Sequence, residues 1–197
     1  MKIIDNWDEY FMKMAYLASY KSKDESSKIG AVLVKNNSVI SMGYNGICRD
    51  VLDPWDYENK SQKFKHEISK KGISLFSAQE IYEKIKNRKS RPDKYSFVEH
   101  GERNAIYQAA YLGISTKDSI LYTLALPCPD CARGIIQSGI QKVIVHKSFN
   151  DIFYEADKWK SLLQVSLDMF NEAEIELEYI EKELGEIGFI GGVEYKL

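Results

Sequence analysis

Two short segments, His100-Gly101-Glu102 and Pro127-Cys128-Pro129-Asp130-Cys131, constrain this chain more than anything else in it. One imidazole and two thiolates make a donor set suited to zinc, and a helical turn brings cysteines three apart to one side. Any fold of the chain must therefore bring His100 and Cys128, 28 positions apart, to one point. Three protein ligands leave one tetrahedral position for water, and that open position separates a catalytic zinc from a structural one. Zinc would draw the pKa of such a water toward neutrality and so supply a hydroxide nucleophile. Glu102 stands beside the ligands without being needed as one, so it is the candidate proton carrier. A fourth ligand would close the site, and Cys48 is the one remaining thiol.

The pattern around these segments predicts where they lie. Residues 101–112 read as a helix stopped by Gly113, and residues 129–138 as a helix stopped by Gly139. His100 and Glu102 are two apart and would diverge around a regular helix. They can converge only if the metal sits off the helix N-terminus, where partial positive charge also favours thiolates and hydroxide. Strands are expected at residues 119–125, 142–146 and 175–179, with a further helix at about 155–171. Upstream, Trp7, Tyr10, Phe11, Met14, Leu17 and Ala18 recur at helical steps and predict a first helix with that face inward, opened by a capping box of Asn6 and Glu9. Residues 29–35 and 38–44 read as strands of a hairpin turning at Asn36-Asn37. From 50 to 94 no strand is evident; one helix is expected at about 77–89, with Ser77 and Glu80 as a capping box. After Glu181, Gly185, Gly188, Gly191 and Gly192 argue against a long helix. Strand–helix alternation of this kind implies an α/β sheet covered by helices on both faces.

Charge is unevenly spread. Residues 60–94 carry 11 Lys/Arg against 4 Asp/Glu, while residues 151–197 carry 4 against 12. The basic run is either a solvated face or a surface that attracts anions such as nucleotides, nucleic acid or a neighbouring subunit. With no long apolar run and with two of three cysteines in a metal spacing, the expected setting is a reducing cytoplasm, without a membrane.

The H-x-E…P-C-x-x-C pattern is the signature of zinc nucleobase deaminases. The chain resembles the deoxycytidylate (dCMP) deaminases of the cytidine deaminase superfamily from Trp7 to about Tyr179. The resemblance is carried by Trp7-Asp8-Glu9-Tyr10-Phe11-Met12, Ser22-Lys23-Asp24, Lys28-Ile29-Gly30-Ala31-Val32, Gly43-Tyr44-Asn45-Gly46, Arg91-Pro92-Asp93-Lys94-Tyr95, His100 through Ile106, and Pro127 through Ala132 with Ile135-Ile136-Gln137-Ser138-Gly139-Ile140 behind. It implies a single domain with a three-layer α/β/α cytidine-deaminase-like fold and a mixed five-stranded sheet. One zinc would be held by His100, Cys128 and Cys131, with Glu102 as proton shuttle, in the hydrolysis of dCMP to dUMP and ammonia. It also implies a homo-oligomer, hexameric in many members, and control by dCTP and dTTP. By the family pattern Asn45 would contact the sugar, although in its loop it reads equally as a left-handed turn residue. Arg49, Arg103 and Lys28 are the candidates for the 5′-phosphate.

Two departures stand out. Gly101 replaces the alanine of the family pattern between histidine and glutamate. The stretch from Asn45 to His100 is longer than the family pattern, with the surplus at about 59–88. That basic insertion supports an alternative substrate: another cytosine or adenine amine in a modified nucleotide, tRNA or single-stranded DNA. A zinc-stapled binding protein without turnover is the remaining alternative, and it requires a fourth ligand.

Overall fold

Asn36 and Asn37 take φ of 51° and 53°, the left-handed pair that a two-residue hairpin turn requires. The computed structural model describes residues 4–58, 62–72, 77–155 and 160–197. These fall into two units, Gly46–Glu99 and the remainder. In chain order the elements begin with α1 (Trp7–Ser19), β1 (Gly30–Lys35) and β2 (Ser38–Tyr44), then β3 (Gly46–Ile47), α2 (Pro54–Glu58), α3 (Gln62–Lys70), α4 (Ala78–Ile85), α5 (Lys94–Phe97) and β4 (Val98–Glu99). They continue with α6 (Gly101–Tyr111), β5 (Ile120–Thr123), α7 (Pro129–Gln137), β6 (Lys142–His146), α8 (Lys147–Glu155), α9 (Lys160–Glu172), β7 (Glu176–Ile180), β8 (Ile187–Ile190) and β9 (Val193–Lys196).

The larger unit is built on a mixed five-stranded sheet of order β2-β1-β5-β6-β7. β1 is antiparallel to both β2 and β5, whereas β5, β6 and β7 run parallel. Residues 31–34 and 143–145 are fully buried, as continuous apolar runs in covered central strands should be. Two glycines set the layers. A Cβ on Gly30 would lie 2.0 Å from the Ala15 carbonyl oxygen of α1, and one on Gly43 would lie 2.2 Å from the Gly101 oxygen of α6. Gly43 pairs with Ala31, the neighbour of Gly30, so the two glycines face opposite sides of the sheet and bring a helix against each.

The Gly30 contact also corrects the expected face of α1. Phe11, Met12, Ala15, Tyr16, Ala18 and Ser19 are buried, whereas Trp7, Tyr10 and Leu17 are exposed. Phe11 and Ala18 of the expected face are buried, and the close backbone approach at Ala15 and Ser19 brings Met12, Ala15, Tyr16 and Ser19 inward beside them in place of Trp7, Tyr10 and Leu17. Asn6 caps the helix as expected, its Oδ1 accepting from the Asp8 and Glu9 amides at 2.7 and 3.3 Å. The Glu9 carboxylate is ion-paired with Lys182 at 2.6 Å.

Downstream, the helix expected at about 155–171 is met by α9 from Lys160 onward, residues 156–159 of the expected span lie outside the described residues, and α8 before them was not expected. The tail forms the hairpin β8–β9.

In the smaller unit β3 pairs with β4. Phe64, Ile68 and Ala78 form a core with Tyr57, and Tyr57 stacks on Tyr82 at 4.3 Å. Ser77 makes no side-chain cap, so the box expected with Glu80 does not form; α4 tightens into a 3-10 turn at Lys86–Lys89. This unit is wider than the expected insertion at 59–88, of which residues 59–61 and 73–76 lie outside the described residues. Part of its basic run is engaged locally. Lys89 pairs with Glu58 at 2.6 Å and Lys86 with Glu83 at 2.5 Å. Arg88 donates to the Leu52 carbonyl at 3.1 Å and lies 4.3 Å from the centre of the Phe97 ring. Among the described residues no helix is long and apolar enough to cross a membrane.

Candidate metal centre

Two helix starts meet at the site. His100 is the residue before α6, with φ −77° and ψ 155°, and Cys128 the residue before α7, with φ −66° and ψ 167°. Both are extended, so their side chains leave the helical track, and Pro129 opens α7 at the position where a missing amide proton costs nothing. This is how His100 and Glu102, two apart, come to serve one point.

His100 Nδ1 lies 3.5 Å from each of the Cys128 and Cys131 sulfurs. At ordinary zinc bond lengths, tetrahedral nitrogen and sulfur ligands lie about 3.6 Å apart, so the donor set fits one such ion. All three ligand atoms lie within 4.8 Å of one another. The sulfurs divide their proton unevenly. Cys128 is drawn down to about 4, chiefly by its hydrogen bond with Cys131 and further by His100. Cys131 is pushed up by the same bond and by burial. Both sulfurs bind zinc as thiolates, so binding would expel whatever proton the pair shares.

Glu102 is 4% exposed, and its Oε2 has no hydrogen-bond partner among the described residues. Burial pushes its carboxyl above the usual range, against the pull of His100. A buried carboxyl able to hold a proton beside three metal ligands is the arrangement that proton transfer requires.

The surrounding backbone is tied down. Asn104 donates to the Tyr44 carbonyl at 2.8 Å, and Ser41 to the Ala105 carbonyl at 2.6 Å. Leu126, just before Pro127-Cys128, donates its amide to Asn150 Oδ1 at 2.9 Å and accepts from the Tyr154 hydroxyl at 2.5 Å.

Asn45 is buried, and its amide is largely consumed within the chain. Oδ1 accepts from the Ile29 amide at 2.8 Å, while Nδ2 donates to Asp24 Oδ2 at 3.1 Å and the Ser27 carbonyl at 2.9 Å. It is not among the residues with positive φ, so the left-handed turn reading fails; Asn45 organises its loop through its side chain. Because a carboxylate only accepts, Asp24 fixes which way the amide faces, leaving one lone pair of Oδ1 unused.

The phosphate candidates separate. Arg103 lies 3.6 Å from Asp130 in a groove between α6 and α7 shared with Tyr107, Arg133 and Gln137. Lys28 is held against Phe189, amide to carbonyl at 3.0 Å and Nζ 5.2 Å from the ring centre. Arg49 is exposed and belongs to the smaller unit. Cys48 is exposed in that unit too, its sulfur 3.8 Å from the Phe97 carbonyl. Sequence reasoning missed Asn150 and Tyr154, because α8 follows β6 with no connecting loop to mark its start. The helical spacing of Phe149, Ile152 and Phe153 was the available signal.

The chain matches the family described as cytidine and deoxycytidylate deaminase zinc-binding region over residues 5–147, and a zinc-binding family agrees with the donor set. It is 34% identical over 172 residues to the deoxycytidylate deaminase of Enterobacteria phage T4, covering 81% of this chain and 86% of that one. It is 29% identical over 178 residues to an uncharacterized deaminase in the luxG 3′ region of Aliivibrio fischeri, covering 90% and 96%. Its fold is similar to that of the dCMP deaminase from cyanophage S-TIM5, solved in complex with dCMP and dUMP, with a TM-score of 0.55 and 24% identity over 91% of this chain and 100% of the other.

Proposed function

The chain belongs to the cytidine and deoxycytidylate deaminase family, and on that premise we propose that it hydrolyses dCMP to dUMP and ammonia. The T4 relative, a deoxycytidylate deaminase aligned over most of both chains, supports dCMP as the substrate. The observation that carries the chemistry is the buried, unpartnered Oε2 of Glu102, whose carboxyl interacts electrostatically with His100 and Cys128 of the His100, Cys128 and Cys131 ligand set. Those three residues would hold zinc, which supplies the Lewis acidity that makes a water nucleophilic at neutral pH.

Glu102 takes a proton from the attacking water and delivers it to the ring nitrogen N3. A second proton passes through the same carboxylate to the amine as the C4–N bond breaks. The water oxygen stays on C4, so the products are dUMP and ammonia. Burial that favours the protonated carboxyl suits a group that must hold a proton between these two transfers.

The unused lone pair of Asn45 Oδ1 is suited to a sugar hydroxyl, with Asp24 holding the amide in that orientation. Arg103, next to Glu102, is the leading cation for the 5′-phosphate; Lys28 and Arg49 are the others. A cytoplasmic homo-oligomer, hexameric by the family pattern and controlled by dCTP and dTTP, belongs to the same reading.

The test is ammonia release by the purified zinc protein from dCMP, CMP, deoxycytidine, dCTP and adenosine-containing RNA, with and without dCTP and dTTP as effectors. dCMP should be preferred in kcat/KM by about tenfold or more, the scale of one well-formed recognition contact. A preference for RNA, lost on adding salt, would overturn the substrate.

A further inference from the structure

We propose that Asn150 and Tyr154 of α8 are positioning residues for the metal centre, clamping the Leu126 peptide so that Cys128 is held in register with His100. This rests on the reading that His100, Cys128 and Cys131 hold the ion.

Asn150 and Tyr154 are four apart on one helix and therefore share a face. They grip both polar groups of a single residue. The Leu126 amide donates to Asn150 Oδ1 at 2.9 Å, and the Leu126 carbonyl accepts from the Tyr154 hydroxyl at 2.5 Å. The roles are unambiguous, since an amide N–H can only donate and a carbonyl can only accept. Leu126 is 4% exposed and Tyr154 8%, so water cannot readily replace the Tyr154 bond, and losing either bond leaves a polar group of the buried Leu126 without its partner.

The short connection to the metal ligand is stiff. Pro127 has its φ fixed by its ring, and Cys128, which precedes Pro129, is confined to extended conformations. A shift of the Leu126 peptide therefore has few torsions in which to dissipate before it reaches the Cys128 sulfur. The far end of the clamp is equally firm. Phe149, adjacent to Asn150, is fully buried and packs on Tyr16 of α1, ring centres 6.0 Å apart. A Cβ on Gly188 of β8 would lie 2.8 Å from the Phe149 ring, so the C-terminal hairpin is seated on the same residue.

The full-length protein with Tyr154→Phe or Asn150→Ala tests the clamp. Tyr154→Phe keeps the ring and its packing; Asn150→Asp, which keeps an acceptor oxygen, serves as the conservative rescue. The readouts are the visible absorption of the Co²⁺-substituted protein, the rate of zinc loss to a chelator, kcat and KM for dCMP, and Tm. Zinc release should quicken by about tenfold or more, the usual scale for lost support of a metal ligand. The Co²⁺ bands should shift, kcat should fall with KM within about twofold, and Asn150→Asp should recover most of the loss. Unchanged Co²⁺ bands and zinc release in both Tyr154→Phe and Asn150→Ala would overturn the inference, whatever happens to Tm. A Cys128→Ser protein that still holds zinc would overturn the metal-site reading itself, and the clamp with it.

Discussion

Gly43 and Gly101 govern how closely the sheet approaches α6, and so where His100 and Glu102 come to rest. A Cβ on Gly43 would lie 2.2 Å from the Gly101 oxygen and 2.3 Å from the Ala105 nitrogen, both backbone atoms that cannot turn aside. A Cβ on Gly101 would meet only the Ile29 oxygen at under 3 Å, at 2.8 Å. Gly43→Ala is therefore expected to cost about 3 kcal/mol or more, and Gly101→Ala about 1 kcal/mol, in urea unfolding. Equal costs would mean that the sheet and helix adjust freely at both places. The sequence signals at this scale were uneven. His100, Glu102, Cys128 and Cys131 announced themselves, because ligand chemistry tolerates few residue types at few spacings. Gly43 was legible only as the end of a strand. Its contact with α6 depends on a helix more than fifty residues away, which no local pattern reveals. Asn45 stood out by its place in the Gly-Tyr-Asn-Gly segment, but its bonds to Asp24, Ser27 and Ile29 belong to tertiary structure.

Elements were readable where periodicity was strong and punctuation clear. The Asn36-Asn37 turn, the buried runs of β1 and β6, and the glycine stops after α6 and α7 all stand where local chemistry requires them. The inward face of α1 keeps Phe11 and Ala18 but not Trp7, Tyr10 and Leu17, because the close contact with Gly30 sets Ala15 and Ser19 against the strand. α8 was missed because a strand passes directly into it. The end of β6 carries a further consequence. His146 is buried; its Nε2–H donates to the Lys182 carbonyl at 3.1 Å, so Nδ1 accepts from the Tyr16 hydroxyl at 2.5 Å. Both bonds suit the neutral ring, and burial holds its pKa below the usual value of 6.5. Below that value the unfolded chain takes up a proton that the folded chain resists. The stabilising contribution is thus complete above about pH 6.5 and is lost as pH falls through the region below it. Tm should decline between pH 7 and pH 5, and His146→Gln should flatten that decline. A slope unchanged in His146→Gln would assign the acid sensitivity to other groups.

For the whole molecule, the order of strands and helices led to the right architecture because a βα alternation with two metal-binding helix starts admits few topologies. The long stretch between Asn45 and His100 resisted reading. Its helices are short, and its cohesion comes from contacts such as Tyr57 on Tyr82 and Lys89 on Glu58, which sequence spacing does not pair. Of its charges, Lys86, Arg88 and Lys89 are engaged within the unit. The function accordingly rests on the larger unit, where the ligand set and its buried carboxyl stand together. Zinc content and dCMP turnover, measured on the same preparations of the wild type and Glu102→Gln, test it most directly. About one zinc per chain should remain in both, while turnover in Glu102→Gln falls by about 10²–10⁴-fold, the range for loss of a general acid–base. A Glu102→Gln protein that keeps its zinc and deaminates dCMP at the wild-type rate would contradict the role given to this carboxylate.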